Sequence, residues 1–365
     1  MMKTPHRILL VDNLMIRRYG NLRMGPGRKL MTGAIRNNWR ICEYSDRDMA
    51  RLLAPLGIRA LGGKFANSKL VLTAKNFRPD VMLLGHCDYV TNETLFKIRD
   101  ILPGIKIAHF NVDPVQLDHT ARQCRERMES CDGIFITTAG KVISQWCNGR
   151  NFTAFMPNPS DPAMENIDNS KTGSFERDLF FAGNPISNDE RWRLLEEVIE
   201  KIRGRMRIEI FGWKNSPVKE NGDGLHLKPS IWGAAYEEVL RTSRMSLNLN
   251  RREGEKWYSS DRIAHLMGFG ILTFQSDRNS MQDFFSDSET VYFSGADDLA
   301  EKILFYNSHD SELRRIAAAG RKKYHALFSG ERVLRYMVET LCGEKYSENY
   351  EWAAEVYRSP VEAAR

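Results

Sequence analysis

The densest concentration of groups able to handle a phosphate lies between Arg251 and Arg262. Arg251, Arg252, Lys256 and Arg262 supply positive charge, while Ser259, Ser260 and the amides opening the following helix supply hydrogen-bond donors. A phosphate leaving group gathers negative charge in the transition state, so preorganised cations and N–H dipoles can stand in for a metal ion. Asp261 fits two roles equally, a first-turn acid of the helix or a partner for a substrate hydroxyl. A second set suits proton transfer: His86 and Asp88 follow one apolar strand, and Asp113, Asp118 and His119 follow another. Activating a hydroxyl for attack requires one carboxylate or imidazole within hydrogen-bond reach, and Asp113 is the first choice. His109 lies within a strand and reads as a core residue.

Between Leu14 and Cys42 seven cations, Arg17, Arg18, Arg23, Arg28, Lys29, Arg36 and Arg40, occur without an Asp or Glu. They predict a positive surface suited to phosphates, acidic saccharides or anionic lipid headgroups; a solvated helix face is the alternative of equal weight. Gly25-Pro-Gly27 precedes a helix within this stretch, which makes Arg23, Arg28 and Lys29 candidate contacts for an acceptor phosphate, with a plain loop as the other reading. Asp46-Arg-Asp48 has the lettering of a metal-binding Asp-x-Asp, but it opens a helix, where acids cap N–H groups. No metal is expected there.

The elements that must position these residues alternate. Apolar strands are predicted at 7–13, 40–44, 80–85, 106–111, 133–137 and 152–156, with amphipathic helices at 28–37, 46–53, 64–76, 92–102, 120–130 and 139–147. Strands that are apolar throughout belong to a parallel sheet covered on both faces, so this is a doubly wound α/β domain. Pro157-Asn-Pro-Ser-Asp-Pro162 and the polar run 166–174 break the pattern and read as a linker. Strands at 178–182, 207–211, 245–249, 270–274 and 290–293, with helices at 189–202, 234–242, 260–267, 296–307, 311–327 and 331–341, make a second α/β domain. The expected divisions are 1–160, 175–342 and a helical tail, 343–365, packing on the first domain. Ligands of open parallel sheets sit beyond the carboxyl ends of the strands, so function is expected in those loops and in a cleft between the domains.

At 365 residues, with 42% hydrophobic and 27% charged residues, the chain can bury two such cores. Six scattered cysteines without a Cys-x-x-Cys pair fit a reducing compartment. The apolar run near the start, Ile8 to Val11, is too short for a signal segment, and no stretch approaches a membrane span. A cytoplasmic protein, peripheral at most at the inner membrane face, is therefore expected. The net charge of +6 comes without interleaved exposed aromatics or a nucleic-acid module, so no nucleic-acid partner is expected.

From about Phe180 to Tyr336 the chain resembles the glycosyltransferase group 1 domains, especially the branch related to the spore-maturation protein CgeB. The resemblance rests on the order and spacing of Phe181-Ala-Gly-Asn184, Ile210-Phe-Gly-Trp213, Ser246-Leu-Asn-Leu-Asn250, the block Ser260 to Gly270, Asp297 to Ile303 and Arg314 to Arg321. It implies a GT-B architecture: two Rossmann-like doubly wound domains facing across a cleft, with a C-terminal helix returning to the first. It implies a metal-independent transfer of a sugar from a nucleotide-sugar donor to a hydroxyl of a saccharide or lipid-linked acceptor. Blocks of the Tyr-Ser-Ser-x-Arg type look like those of capsule and lipopolysaccharide enzymes. Gly183, Asn184, Phe211, Gly212, Asn250, Arg251, Tyr258, Ser259, Ser260, Asp261, Arg262, Gly268 and Gly270 then become donor contacts. A glycine after a strand lets a substrate approach the backbone, although Gly183 reads equally as a turn glycine. His265 stands where related domains commonly carry a glutamate that contacts the donor, and an imidazole does not reproduce a bidentate carboxylate. It joins Asp113 and Arg262 as a candidate catalytic residue, and a CMP-activated acidic sugar of the Kdo type becomes an alternative donor. A sugar-nucleotide epimerase and a non-catalytic nucleotide-sugar-binding protein are the readings of other classes.

Overall fold

The computed structural model describes residues 6–14, 16–17, 20–21, 24–55, 58–183, 190–213, 218–251 and 253–359, with backbone alone at 16–17, 20–21 and 59. The chain forms two compact units, Met1–Pro159 with Phe328–Arg365, and Ser160–Leu327.

In the first unit the order is β1 (Arg7–Asp12), β2 (Ile16–Arg17), β3 (Gly20–Asn21), α1 (Pro26–Arg36), β4 (Arg40–Ser45), α2 (Asp46–Leu52), α3 (Gly63–Phe77), β5 (Val81–Leu84), α4 (Asn92–Ile101), β6 (Lys106–Asn111), α5 (Asp118–Arg127), β7 (Gly133–Ile136) and β8 (Phe152–Phe155). β4, β1, β5, β6, β7 and β8 lie side by side in that order, all parallel. Every side chain of β5, β7 and β8 is buried, as a sheet covered on both faces demands. The chain leaves β1 toward β4 on one side and returns to β5 on the other, so the winding reverses between β1 and β5. Such a switch point opens a crevice at the carboxyl ends of the strands.

The second unit runs β9 (Arg177–Ala182), α6 (Glu190–Ile202), β10 (Ile208–Phe211), β11 (Leu225–Lys228), α7 (Ala234–Arg241), β12 (Ser243–Asn248), α8 (Arg262–Gly268), β13 (Leu272–Ser276), β14 (Val291–Phe293), α9 (Ala296–Ser308) and α10 (Asp310–Leu327). Its sheet is parallel with the order β11-β10-β9-β12-β13-β14. This is the strand order of the dinucleotide-binding Rossmann sheet, with the switch point between β9 and β12. α6 buries Trp192, Leu195, Val198, Ile199 and Ile202, and α9 buries Leu299, Ala300 and Ile303, into one core with the strands.

Four details differ from the sequence reading. α11 (Gly330–Cys342), expected to close the second domain, belongs to the first unit, where it crosses α1 at glycines: a methyl on Gly33 would meet the Gly330 carbonyl oxygen at 2.3 Å. The tail is turns ending in a two-residue strand, β15 (Val356–Tyr357), antiparallel to β8, rather than a helix. It closes that sheet's edge, and its Trp352 and Tyr350 pack around Tyr336 of α11. The predicted helix 139–147 is a 3-10 turn, Lys141–Trp146. The segment taken as a linker is largely buried: Ser160, Asp161 and Glu165 are inaccessible to solvent.

Candidate active site

At the β9/β12 switch point the backbone comes first. Gly212 has φ +94°, and a Cβ there would lie 2.1 Å from the Gly183 carbonyl oxygen, so two strand ends meet where only glycine fits. The loop after β12 is shaped by asparagines. Asn250 donates to the Tyr258 carbonyl at 3.0 Å, and Asn248 donates to Ser259 Oγ at 3.0 Å. Asn279 accepts from the Gly254 amide at 2.9 Å, while its carbonyl accepts from the Trp257 amide at 2.7 Å. Trp257 takes φ +59° inside this frame, a conformation that costs a bulky residue about 1–3 kcal/mol and persists only where surroundings impose it.

Arg262, at the start of α8, has its Cζ over the Phe181 ring of β9, 4.6 Å from the centroid, and its Nη2 donates to Ser260 Oγ at 3.2 Å. A guanidinium stacked on an aromatic face loses less solvation and is held in a fixed direction. Behind it is a row of ionisable side chains. His265 Nε2 is 3.1 Å from Asp261 Oδ2, and its Nδ1 is 3.0 Å from Glu165 Oε1. Glu165 Oε2 accepts from the Asp161 amide at 2.7 Å. The imidazole therefore bridges two carboxyl groups, and Glu165, His265, Asp261 and Arg262 form one continuous row of side chains. The edge of His265 also meets Tyr236, with ring centroids 5.9 Å apart, and burial raises the Tyr236 phenol pKa.

Several donor-site expectations change accordingly. His265 is buried, and both of its nitrogens lie against carboxyl groups of the protein. Gly268 and Gly270 are packing glycines: a Cβ on the first would meet Glu165 Cγ at 2.7 Å, and one on the second Asp168 Oδ1 at 3.0 Å. Ser259 is buried and tied to Asn248, and Tyr258, Asn250 and Phe211 are buried as well. Two of the opening amides of α8, those of Ile263 and Ala264, already donate to the Ser260 and Asp261 carbonyls. Lys256 sits over the Trp257 ring at 4.3 Å, and Arg251 is half-buried. Asn184 and Arg252 lie outside the described residues. Glu165, Asn279 and Tyr236 were missed by sequence reasoning; the first was hidden in the apparent linker.

At the β1/β5 switch point Asp12 ends β1 and is buried. Its Oδ1 accepts from the His86 and Asn13 amides at 2.8 and 2.7 Å, and burial raises its pKa. A Cβ on Gly27 would overlap its Oδ2, so the Gly25-Pro-Gly27 turn is shaped for Asp12. Asp113, beyond β6, draws His119 to 3.3 Å and His86 to 3.9 Å of its Oδ2, which joins three of the predicted residues in one partly exposed cluster. Asp118 is apart from it, exposed in the first turn of α5. His109 is a core residue: its Nδ1 donates to the Leu84 carbonyl at 2.9 Å, and burial pushes its pKa down to about 3.

Asp88 is bound by Arg47 at 2.6 Å and borders a groove of about 810 Å³ between α3 and α4. The expected basic surface is reduced, because Lys29 is fully buried and Arg28 pairs with Glu43 at 2.9 Å; Arg23 lies outside the described residues. Asp46 accepts from the Arg47 and Tyr89 amides at 2.7 and 3.0 Å, and Asp48 accepts from the Ser45 hydroxyl, so both acids serve the local backbone and turn. Among the described residues, the one His/Cys/carboxylate cluster tight enough to share a cation is His6, Cys342 and Glu344, at the opposite end of β1. No helix of the described residues is long and apolar enough to cross a membrane.

Residues 191–339 match a family described as glycosyl transferase-like. No curated protein sequence matches the chain. Among solved structures, HepE of Anabaena in complex with UDP and glucose aligns over 93% of this chain and 100% of its own, with 11% identity and a TM-score of 0.58. Sucrose-phosphate synthase of Thermosynechococcus elongatus aligns over 92% and 98%, with 10% identity and a TM-score of 0.59. AviGT4, a glycosyltransferase involved in avilamycin A biosynthesis, aligns over 97% and 100%, with 12% identity and a TM-score of 0.58. The chain therefore has the two-unit fold of the GT-B glycosyltransferases. Residues 191–339 are thus similar to the glycosyl transferase-like family, and the finer kinship to CgeB rests on the sequence motifs alone.

Proposed function

We propose that the chain transfers a sugar from a nucleotide-activated donor to a hydroxyl of a saccharide or lipid-linked acceptor, without a metal ion. The observation that carries this reading is the stacking of Arg262 on Phe181 at the β9/β12 switch point, beside Asp261. A cation held over an aromatic face and beside Ser260 needs little reorganisation to meet the charge that grows on a departing phosphate. Asp261, oriented by His265, offers the carboxylate for ribose or sugar hydroxyls that His265 itself does not provide. Glu165 in turn orients His265.

On the acceptor side Asp113 takes the proton of the attacking hydroxyl, with His86 and His119 beside it. The groove bordered by Asp88 receives the acceptor. UDP is the first donor nucleotide to test, since the HepE structure holds it. Surface polysaccharide assembly is the setting suggested by the resemblance of the Tyr258 to Arg262 block.

The test is a thermal-shift screen with UDP, GDP, TDP, ADP and CMP, followed by mass analysis of products formed from the matching sugar nucleotides. Ligand at a hundred times its Kd stabilises by about 2.7 kcal/mol, which is several degrees. Stabilisation by UDP supports the reading, and by CMP alone moves the donor to the acidic-sugar class. Stabilisation by oligonucleotides and by no mononucleotide would overturn it. Turnover that persists in excess EDTA supports the metal-free chemistry, and turnover abolished by EDTA and restored by a divalent cation removes it.

A further inference from the structure

The exposed apolar side chains of this molecule are concentrated in one stretch. Of eleven strongly exposed large apolar residues among those described, five fall in the stretch from the end of α2 through α3: Leu52 (75% exposed), Ile58, Leu61, Phe65 and Leu72. α3 shows why this is not the ordinary remainder of a folded surface. It buries Ala66, Leu70 and Ala74 against the unit, at helical spacing, so its opposite face should be polar. Phe65 and Leu72 stand on that opposite face, and seven residues bring one to within about 20° of the other around the helix. Each is at least half exposed, with Lys64, Lys69 and Lys75 also exposed along the same helix.

The charge of the stretch is one-sided. From Met49 to Pro79 the chain carries Arg51, Arg59, Lys64, Lys69, Lys75 and Arg78 and no acid. The groove between α3 and α4 opens beside the stripe, with Lys64 and Leu72 on one wall and Lys97 on the other; its acids are Asp88, which Arg47 neutralises, and Glu93.

We infer that this face docks on an anionic lipid surface, with Phe65, Leu72 and Leu61 entering the boundary between headgroups and acyl chains and the lysines among the lipid phosphates. Apolar residues flanked by cations, without acids, match the two components of that boundary. A second copy of the chain is the poorer occupant, since a twofold contact would set cations against cations. Docking here would bring the groove to the membrane, where a lipid-linked acceptor is presented. The inference goes beyond the glycosyl-transfer reading and stands without it.

The experiment is co-sedimentation of the full chain with vesicles of phosphatidylcholine alone and of phosphatidylcholine with phosphatidylglycerol. Two double variants, Phe65→Asp with Leu72→Asp and Lys64→Glu with Lys69→Glu, are run alongside, with melting curves to show that each folds. Binding to the anionic vesicles that falls with salt and weakens roughly tenfold or more in either folded variant supports the inference. It is overturned by failure of the parent chain to bind anionic vesicles, or by equal binding to both vesicle types that neither variant alters. It is equally overturned by a dimer in light scattering that Phe65→Asp with Leu72→Asp dissociates. UDP-dependent stabilisation, read on the same variants, should be unchanged, which separates failure of the docking surface from failure of the donor site.

Discussion

The two switch points are built by the same winding rule and finished in opposite ways. At the second sheet the charged groups are locked to other protein groups: Arg262 lies on Phe181, and the His265 and Glu165 side chains are 9% and 0% exposed. At the first, the Asp113 and His119 side chains are 37% and 56% exposed, at longer contact distances. A group that must stabilise charge at a fixed phosphate gains from being held before the ligand arrives. One that must take a proton from a variable hydroxyl needs access to solvent and to substrate. The difference is what the proposed division of labour, donor at the second unit and acceptor at the first, requires.

The largest effect is expected where that division is tested on the exposed side. Asp113→Asn keeps the shape of the side chain and removes the base, and should lower kcat by ~1000-fold while leaving UDP stabilisation intact. Unchanged turnover would mean that the first unit positions the acceptor without taking its proton, as a retaining transfer would allow. On the locked side, Arg262→Ala should reduce turnover by ~100-fold, comparable to loss of one oxyanion donor. If turnover survives that change, the stacked guanidinium does not meet the leaving phosphate.

Next is the charge row. Glu165→Ala leaves His265 facing one carboxylate and a buried gap, and should cost about 3 kcal/mol in the stability of the second unit. His265→Glu restores the acid usual in related domains but sets three carboxylates together, Glu165, Glu at 265 and Asp261. It should destabilise by a similar amount, and adding Glu165→Gln should recover part of the loss. Measured as a double-mutant cycle by denaturant unfolding, additive losses would show that the three groups are not coupled. A KM rise for the donor in Glu165→Gln, with a smaller change in kcat, would mark positioning rather than chemistry.

The alternation of strands and helices, and with it both parallel sheets, was legible because strands buried on both faces are written as apolar runs such as Val81-Met-Leu-Leu84. β11 escaped because Leu225-His-Leu-Lys228 is a short edge strand with alternating character. Arg262 and Asp113 were legible as charges beyond strand ends. Glu165 was not, because Pro157 to Pro162 has the composition of a solvated linker and only tertiary contacts reveal it as buried. The basic stretch 14–42 misled in the other direction: Lys29 is inside, whereas the acid-free run 49–79, less dense in charge, carries the exposed lysines. Charge counts do not say which face of a helix a cation occupies.

The smallest effect belongs to a carboxyl group buried in the first unit. Burial raises the Asp46 pKa to about 6 from 3.8, against the pull of two backbone amides. The folded form therefore holds a proton that the unfolded chain has already released between those values, so the stability it contributes is complete below pH 3.8 and is lost as pH rises through 6. At 1.36 kcal/mol per unit the whole change is about 3 kcal/mol, of which about 2 kcal/mol is lost between pH 4 and pH 6.5. Asp46→Asn cannot ionise, so its unfolding free energy should fall less over the same interval, by that difference. Equal pH slopes for the two proteins would show that Asp46 is ionised in the fold throughout, held by the Arg47 and Tyr89 amides despite its burial.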